Sequence, residues 1–357
     1  MTQPSILVMA GGTGGHIFPG LAVADYLRAR GWKVSWMGNK NGMEYHLVKA
    51  RDIPFESVDF SGLRGKGLKA KLLLPYKLLR AGVQSWQIIH RLKPSVVLGM
   101  GGYITFPGGV VSRLLKRPLV LHESNSVAGS ANRALAKIAM RTLTGFPNTL
   151  KHAEWVGNPI RKEFDLLLAP AQRYQERHGN LSILVVGGSL GAAVLNEIVP
   201  AALALIEKKI RPTVIHQAGE KHLVQLQETY AALAVEADVR PFIEDMPKAY
   251  GKADLVICRA GAMTVSELAA SGVASCLVPF PFAIDDHQTA NARFLANKKA
   301  AVLLPQNDLN ASDLAAMITH LDRKDLQLMA ERAHALAKPQ ATQKVAEICA
   351  VCAGVNL

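Results

Sequence analysis

The stretch Ser5-Ile6-Leu7-Val8-Met9-Ala10-Gly11-Gly12 decides the fold, because Ser182-Ile183-Leu184-Val185-Val186-Gly187-Gly188-Ser189 repeats its pattern half a chain later. Each is an apolar, β-branched run that stops at glycines and opens into a helical pattern. This is typical of a buried parallel strand, a tight turn and a helix N-terminus. Such a turn directs backbone N–H groups and the positive end of a helix dipole at one point, and therefore suits phosphate. Two copies predict two similar α/β domains that face each other across a cleft.

Composition limits the class of protein. A chain of 357 residues with 49% hydrophobic and 19% charged residues predicts a well-packed protein of two domains. The four cysteines are too scattered for a disulfide framework, so we expect unreactive core thiols in a reducing compartment. Residues 1–5 lack the cationic start of a signal peptide, and the longest uncharged run, 95–112, contains five glycines and a proline. We therefore expect a cytoplasmic protein without an integral membrane segment.

The net charge of +13 is unevenly distributed. No Asp or Glu occurs from Phe60 to His122, and the same stretch contains eleven basic residues, namely Arg64, Lys66, Lys69, Lys71, Lys77, Arg80, Arg91, Lys93, Arg113, Lys116 and Arg117. From Arg64 to Trp86 the basic residues alternate with leucines, and a basic amphipathic segment of this kind can lie on an anionic membrane surface. Few aromatic residues accompany the charges and no nucleic-acid-binding module is recognisable, so we expect no nucleic acid partner.

Strand and helix patterns alternate along both halves of the chain. The predicted strands are 5–10, 33–38, 55–59, 96–100, 118–122, 154–156, 182–186, 212–216, 239–242, 255–258, 275–279 and 301–304, and the predicted helices include 17–30, 192–208, 264–270 and 288–297. This alternation predicts parallel sheets with helices on both faces. The turn Gly157-Asn158-Pro159 predicts domains of residues 1–160 and 161–337. We assign 338–357 to the first domain, although the sequence alone does not decide where this helical segment packs.

Two common phosphate-binding fingerprints do not fit the glycine turns. Nicotinamide and flavin enzymes use G-x-G-x-x-G with an acidic residue after the next strand. Gly12-Thr13-Gly14-Gly15-His16-Ile17 has Ile at the third glycine position, Gly187-Gly188-Ser189 has Ser at the second, and the second strand ends at Gly38-Asn39 without a carboxylate. A Walker loop is also absent, since no Gly-Lys pair precedes Ser or Thr. A third glycine-rich turn lies at 99–103, and three such turns are more than the packing of strands and helices requires.

Eight ordered segments together resemble one family, the peptidoglycan N-acetylglucosaminyltransferases (the MurG family). They are Gly11–Pro19, Ser61–Gly67, Gly99–Tyr103, His122–Asn125, Gly157–Arg161, Gly187–Ser189, Cys258–Glu267, and Asp286–Gln288 with Asn291. They span nearly the whole chain in family order, which is a specific signal where one glycine turn would be weak. One position departs from the pattern, because Leu190 stands where the family usually has a polar residue.

The resemblance implies a GT-B fold of two Rossmann-like domains, with the acceptor- and membrane-associated domain first and the UDP-sugar-binding domain second. It implies inverting transfer of N-acetylglucosamine from UDP-N-acetylglucosamine to the 4-hydroxyl of undecaprenyl-pyrophosphoryl-N-acetylmuramyl-pentapeptide. The expected location is peripheral, at the cytoplasmic face of the cell membrane, with cell-wall synthesis proteins as further partners. Two alternatives remain open: a related transferase with another UDP-sugar or glycolipid acceptor, and a non-catalytic UDP-sugar or lipid-binding protein.

Inverting transfer needs stabilisation of the departing diphosphate. No D-x-D metal motif occurs, so we expect neither a metal nor a cofactor, and fixed donors in their place. The candidate donors are Ser189 with the backbone of the turn 187–191, the helix start at Ala262–Thr264, and Arg161, which is placed for a charge-assisted contact.

The same reaction needs a base for the acceptor hydroxyl. His16 is the predicted base, since the positive potential of a helix start disfavours imidazolium, and Glu123 is the alternative. Thr13 and Asn125 are expected to orient the acceptor or the transferred sugar. Glu267 can accept both ribose hydroxyls, and Gln288 can bind sugar hydroxyls. By resemblance alone, the remaining site residues are Gly14, Gly15, Tyr103, Met263, Val265, Ser266, and Ile243, which would present backbone groups to uracil.

Overall fold

The computed structural model describes residues 3–60, 73–188 and 191–357. It divides the chain into two units, Met1–Arg161 with Lys338–Leu357, and Lys162–Ala337. The predicted motif Ser61–Gly67, the basic residues from Arg64 to Lys71, and both Ser189 and Leu190 lie outside the described residues. Within the described ranges, no helix combines the length and apolar character needed to cross a bilayer.

The first unit contains β1 (Ser5–Ala10), β2 (Lys33–Gly38), β3 (Phe55–Ser57), β4 (Val96–Gly101), β5 (Leu119–Glu123), β6 (Arg141–Thr144) and β7 (Glu154–Trp155). These strands form one parallel sheet in the order β3-β2-β1-β4-β5-β6-β7. The order reverses between β1 and β4, so the loops after these two strands diverge at the carboxyl edge of the sheet. In α/β proteins this switch point is where ligands bind.

The helices of this unit are α1 (Gly14–Arg28), α2 (Met43–Lys49), α3 (Leu74–Leu92), α4 (Thr105–Leu114) and α5 (Ser130–Leu135), with α14 (Ala341–Cys352) from the end of the chain. Side chains of β1 alternate between two cores, as the strand period of two requires. Ile6 and Val8 pack with residues of α1 and α14, whereas Leu7 and Met9 pack with residues of α3 and α4. All four side chains are buried, which explains the continuous apolar run of this strand.

The last helix settles a question that its apolar pattern leaves open. Helix α14 packs against α1, and its Val345, Ala346 and Cys349 lie in the same core as Ile6 and Val8. Burial raises the pKa of the Cys349 thiol, which keeps it protonated and unreactive. The C-terminal segment is therefore part of the first unit.

The second unit contains β8 (Ser182–Val186), β9 (Thr213–Gln217), β10 (Asp238–Arg240), β11 (Leu255–Cys258), β12 (Ala274–Leu277) and β13 (Val302–Leu303), all parallel, in the order β10-β9-β8-β11-β12-β13. Its helices are α6 (Pro170–Gln175), α7 (Ala193–Ala204), α8 (Leu223–Ala232), α9 (Met246–Lys252), α10 (Ala262–Ser271), α11 (His287–Ala296), α12 (Ala311–His320) and α13 (Arg323–His334). Strand β8 pairs with β9 and β11, so it occupies the place that β1 has in the first sheet. Each unit is a Rossmann-like α/β domain, and the predicted fold class is confirmed.

One strand lies where the sequence pattern predicts none. Strand β6 reads Arg-Thr-Leu-Thr and has a single large apolar residue, Leu143, which is too little for a period-two signal. It is a strand because its backbone pairs with β5 on one side and β7 on the other. Pairing with distant segments, rather than local preference, decides this element.

Candidate functional site

The turn after β1 carries His16 to the switch point of the first sheet. Thr13 precedes α1, and its carbonyl oxygen accepts from the His16 N–H at 3.0 Å. The imidazole Nδ1 lies 3.1 Å from the carbonyl oxygen of Met100 in β4. Because a carbonyl oxygen only accepts, this hydrogen bond requires the proton on Nδ1 and makes Nε2 the basic nitrogen of the neutral ring. The fold thus selects the tautomer that a general base needs.

Two glycines at the end of β4 and just after it make room for this arrangement. Gly101 has φ 103°, and a side-chain carbon there would lie 2.7 Å from His16 Nδ1. Gly102 has φ 84°, and a side-chain carbon there would overlap the carbonyl oxygen of Gly11. The turns after β1 and β4 therefore pack backbone against backbone, which only glycine allows. The third glycine turn supports the first one and its histidine.

A buried carboxylate, Glu44 in the first turn of α2, lies behind the same turns. Its Oε1 accepts from the Asn39 N–H at 3.0 Å and from the Tyr103 hydroxyl at 3.3 Å, and its Oε2 lies 3.5 Å from the Gly12 nitrogen. Burial, together with the Glu44 charge, raises the pKa of Tyr103 to about 12, so the phenol stays protonated and keeps donating. Sequence reasoning missed Glu44, since an acidic residue at a helix start is typical of a solvent-exposed position.

Glu123, at the end of β5, is 2% exposed and its carboxylate is engaged by the loop that follows it. One oxygen accepts from the Asn125 N–H at 2.9 Å, and the other accepts from the Gly129 N–H at 3.1 Å and the Asn132 side chain at 2.9 Å. These contacts hold the loop after β5 in place and fix the backbone of Asn125.

In the second unit, Gln217 organises the glycine turn after β8. This side chain is 1% exposed; its Nε2 donates to the Gly188 carbonyl at 2.9 Å, and its Oε1 accepts from the Ile243 N–H at 3.0 Å. Gly191, on the far side of Ser189, donates its N–H to the Gly188 carbonyl at 3.0 Å. Because the Ile243 N–H already donates to Gln217, a backbone contact from Ile243 to a uracil ring has to come from its carbonyl oxygen. The position of Gln217 at a strand's carboxyl end was the one sequence signal that could have identified it.

Helix α10 begins at the carboxyl edge of the second sheet, so the positive end of its dipole lies at the same edge as the turn after β8. Met263 and Thr264 are half-buried in its first turn, behind Ala262, which begins the helix. Val265 is fully buried, and its N–H donates to the Gly261 carbonyl at 2.9 Å. The side chains of Met263 and Thr264 are therefore more accessible than that of Val265.

The residues that follow this turn extend the same surface. The Ser266 hydroxyl donates to the Ala262 carbonyl at 3.0 Å, and Glu267 is half-buried in the next turn. Helix α11 supports the turn, since the buried Asn291 side chain donates to the Ala260 carbonyl at 3.2 Å. Gln288 accepts from the Phe280 N–H at 2.9 Å through Oε1, so its Nε2 is the group that can donate to a ligand.

The predicted residues thus fall into two groups, one at the carboxyl edge of each sheet. The first group is Thr13, Gly14, Gly15, His16, Tyr103, Glu123 and Asn125, and the second is Ile243, Ala262, Met263, Thr264, Val265, Ser266, Glu267 and Gln288. Arg161 is exposed and is the last residue of the first segment of unit one. Ser189 lies outside the described residues.

Comparison with known proteins covers both units. Residues 6–144 match the glycosyltransferase family 28 N-terminal domain, and residues 182–348 match the glycosyltransferase family 28 C-terminal domain. The UDP-N-acetylglucosamine--N-acetylmuramyl-(pentapeptide) pyrophosphoryl-undecaprenol N-acetylglucosamine transferase of Polynucleobacter asymbioticus is 74% identical over 100% of both chains. A protein of the same name from Cupriavidus necator is 61% identical over 98% of both. The crystal structure of Acinetobacter baumannii MurG is similar with a TM-score of 0.86 and 41% identity, covering 97% of this chain and 99% of that chain. The chain belongs to glycosyltransferase family 28.

Proposed function

We propose that the protein transfers N-acetylglucosamine from UDP-N-acetylglucosamine to the 4-hydroxyl of undecaprenyl-pyrophosphoryl-N-acetylmuramyl-pentapeptide, with inversion to a β-1,4 linkage. The product is the disaccharide lipid precursor of peptidoglycan. The observation that carries the proposal is that the chain is 74% identical, along its whole length, to a transferase of this name. The geometry agrees with it, because His16 lies at the switch point of the first sheet with Nε2 as its basic nitrogen.

The two units divide the work. The first unit, Met1–Arg161 with Lys338–Leu357, binds the lipid-linked acceptor, because it holds the proposed base and a helix with an exposed apolar stripe. The second unit, Lys162–Ala337, binds the UDP-sugar, because the turn after β8 and the start of α10 direct backbone N–H groups to one edge of its sheet. Arg161, close to the junction, adds a charge-assisted contact to the donor diphosphate.

The reaction is a single displacement. Nε2 of His16 takes the proton of the acceptor 4-hydroxyl as that oxygen forms a bond to the anomeric carbon of N-acetylglucosamine. The bond from this carbon to the diphosphate oxygen breaks on the opposite face, so the configuration inverts and UDP leaves as the anion. The turn around Gly188 and Gly191, with Ser189 and Thr264, stabilises the charge that develops on the diphosphate.

The other predicted residues bind the two substrates. Glu267 accepts from the ribose hydroxyls, Gln288 donates through Nε2 to the transferred sugar, and the Ile243 carbonyl accepts from uracil. In the first unit, Thr13 and Asn125 orient the acceptor sugar beside His16.

Incubation with UDP-N-acetylglucosamine, EDTA and a short-chain, water-soluble analogue of the acceptor tests the function directly. We expect release of UDP together with a β-linked disaccharide, and we expect EDTA to leave the rate unchanged because fixed donors stabilise the leaving group. A panel of other UDP-sugars separates the related-transferase alternative, which predicts faster turnover with another donor. Binding of UDP without any disaccharide would contradict the proposal, and a strict requirement for Mg²⁺ or Mn²⁺ would contradict its metal-free part.

We also propose that α3 anchors the protein peripherally to the cytoplasmic face of the anionic membrane, where cell-wall synthesis proteins would be its neighbours. Five large apolar residues at spacings of three and four form an exposed stripe on and just before this helix, Leu73, Tyr76, Leu79, Val83 and Trp86, each between 44% and 69% exposed. Basic residues lie on the same helix, so α3 as a whole is amphipathic in the manner of interfacial helices. An exposed apolar stripe beside cations favours the interpretation that α3 binds a lipid surface over the interpretation that it is only solvated.

The double substitution Leu79→Gln and Val83→Gln should weaken binding to phosphatidylglycerol vesicles by about tenfold to a hundredfold, since two apolar side chains no longer enter the acyl boundary. Vesicle sedimentation measures this. Leu205→Gln is the control, because Leu205 is equally apolar and 64% exposed but belongs to the second unit. Unchanged sedimentation of the double variant would rule out α3 as the anchor, and its turnover on the water-soluble acceptor should stay at the wild-type rate.

A further inference from the structure

A cavity of about 440 Å³ opens at the carboxyl edge of the first sheet, outside the residues assigned so far to catalysis. Its walls come from the ends of β2, β3 and β4 and from one flank of α3, including Asn41, Asp59, Tyr103, Tyr76, Lys77 and Arg80. All of these belong to a single unit. The cavity lies where parallel sheets bind ligands, and Tyr103 is the one predicted site residue among the described residues that line it.

Two tyrosines that line the cavity, Tyr103 and Tyr76, lie next to the turn that holds His16 and on the apolar stripe of α3, respectively. Tyr103 directly follows Gly101 and Gly102, the glycines that accommodate the His16 imidazole. Tyr76, on the opposite side, is 64% exposed and is part of the apolar stripe of α3. The cavity therefore lies between the base and the surface that we propose faces the membrane.

The charges of the cavity favour an anion. Lys77 and Arg80 are three residues apart on α3 and so share one flank of the helix. Arg80 Nη2 lies 2.7 Å from Asp59 Oδ2, and the backbone N–H of Asp59 donates to Gln84 Oε1 at 2.9 Å, so the guanidinium is held at the cavity wall. Among the described lining residues, the charged side chains are Lys77, Arg80 and Asp59. The buried Glu44 carboxylate lies behind the wall and is occupied by the Asn39 N–H and the Tyr103 hydroxyl, so the two cations are the charged donors that the lining offers to an anion.

The covalent order of the acceptor identifies an anion that belongs there. In an undecaprenyl-pyrophosphoryl sugar the diphosphate joins the lipid to the sugar. If the lipid lies at α3 and the sugar 4-hydroxyl reaches His16, the diphosphate has to lie between them. Resting on the proposed function, we propose that Lys77 and Arg80 bind the diphosphate of the lipid-linked acceptor in this cavity. The two cations suit the two phosphoryl groups by charge-assisted hydrogen bonds.

The first arm of the test measures steady-state kinetics with the water-soluble acceptor in the absence of membranes. Lys77→Gln should raise the KM for the acceptor about tenfold, the effect of losing one charge-assisted hydrogen bond, with the KM for UDP-N-acetylglucosamine unchanged. Lys77→Arg should restore most of the affinity. Arg91→Gln is the matched control, because it removes the same charge from the same helix at an exposed ion pair with Glu56 that does not line the cavity. An acceptor KM for Lys77→Gln equal to that of Arg91→Gln would overturn the proposal.

The second arm does not need turnover. Calorimetric titration with farnesyl diphosphate, without UDP-N-acetylglucosamine, should show affinity about tenfold weaker in Lys77→Gln and unchanged in Arg91→Gln. If Lys77→Gln instead loses affinity only for phosphatidylglycerol vesicles, the cations bind lipid headgroups and the proposal is wrong. If the wild type binds farnesyl diphosphate through Lys77 but forms no disaccharide, the anion site stands and the proposed function fails.

Discussion

Replacing His16 by alanine should lower kcat for sugar transfer about a thousandfold, within the range that a positioned general base contributes. The structure places this imidazole at the switch point of the first sheet with Nδ1 engaged by the Met100 carbonyl, so the proton acceptor is Nε2. The substitution removes the base but leaves the second unit, where UDP is proposed to bind, unchanged. Steady-state kinetics and calorimetric titration with UDP together measure both expectations.

His46→Ala is the control for this experiment, because His46 is an exposed histidine on α2 of the same unit. Its turnover should equal that of the wild type. A His16→Ala variant that folds normally and turns over within tenfold of the wild type would show that another group removes the proton. A loss of UDP affinity in this variant would contradict the proposed division of substrates between the units.

Replacing Asp254 by alanine should lower the free energy of unfolding by about 3–5 kcal/mol, the usual effect of removing one partner from a buried ion pair. Asp254 precedes β11 and its side chain is 2% exposed. Its carboxylate accepts from Arg177 at 2.9 Å and Arg323 at 3.3 Å, and also from the Ser182 N–H at 2.8 Å, at the start of β8. Without it, two partly buried guanidinium groups and a strand N–H lose their shared acceptor.

Urea or thermal denaturation of the full chain measures this loss, and for a domain of this size we expect the melting temperature to fall by roughly 10 °C. Asp238→Ala is the matched control, since Asp238 forms an exposed ion pair with Arg240 in the same unit and should change stability by less than about 1 kcal/mol. Equal melting temperatures for the two variants would show that burial adds nothing to the Asp254 contacts. UDP affinity of the folded Asp254→Ala protein should stay at the wild-type value.

Much of the candidate site could be proposed from the sequence because its residues occur in short segments whose spacing suggests their chemistry. The glycine turns after β1, β4 and β8 are recognisable by their composition, and His16 comes directly after the glycines of the first turn. Gln217, Glu44 and Asp254 have no comparable local sequence signal. Each becomes important through partners distant in the chain, as when Glu44 accepts from Tyr103 across a separation of 59 residues.

By itself, the sequence determined the α/β class, the twin strand–turn–helix units and the positions of the histidine and glycine turns. Period and composition act over a few residues, and these features are local in that sense. Only the tertiary structure decided the pairing of β6, the return of α14 to the first unit, the tautomer of His16 and the cavity beside Lys77. All four depend on which distant backbone and side-chain groups share a buried space, because burial and hydrogen-bond partners are properties of the packed chain and not of any segment in it.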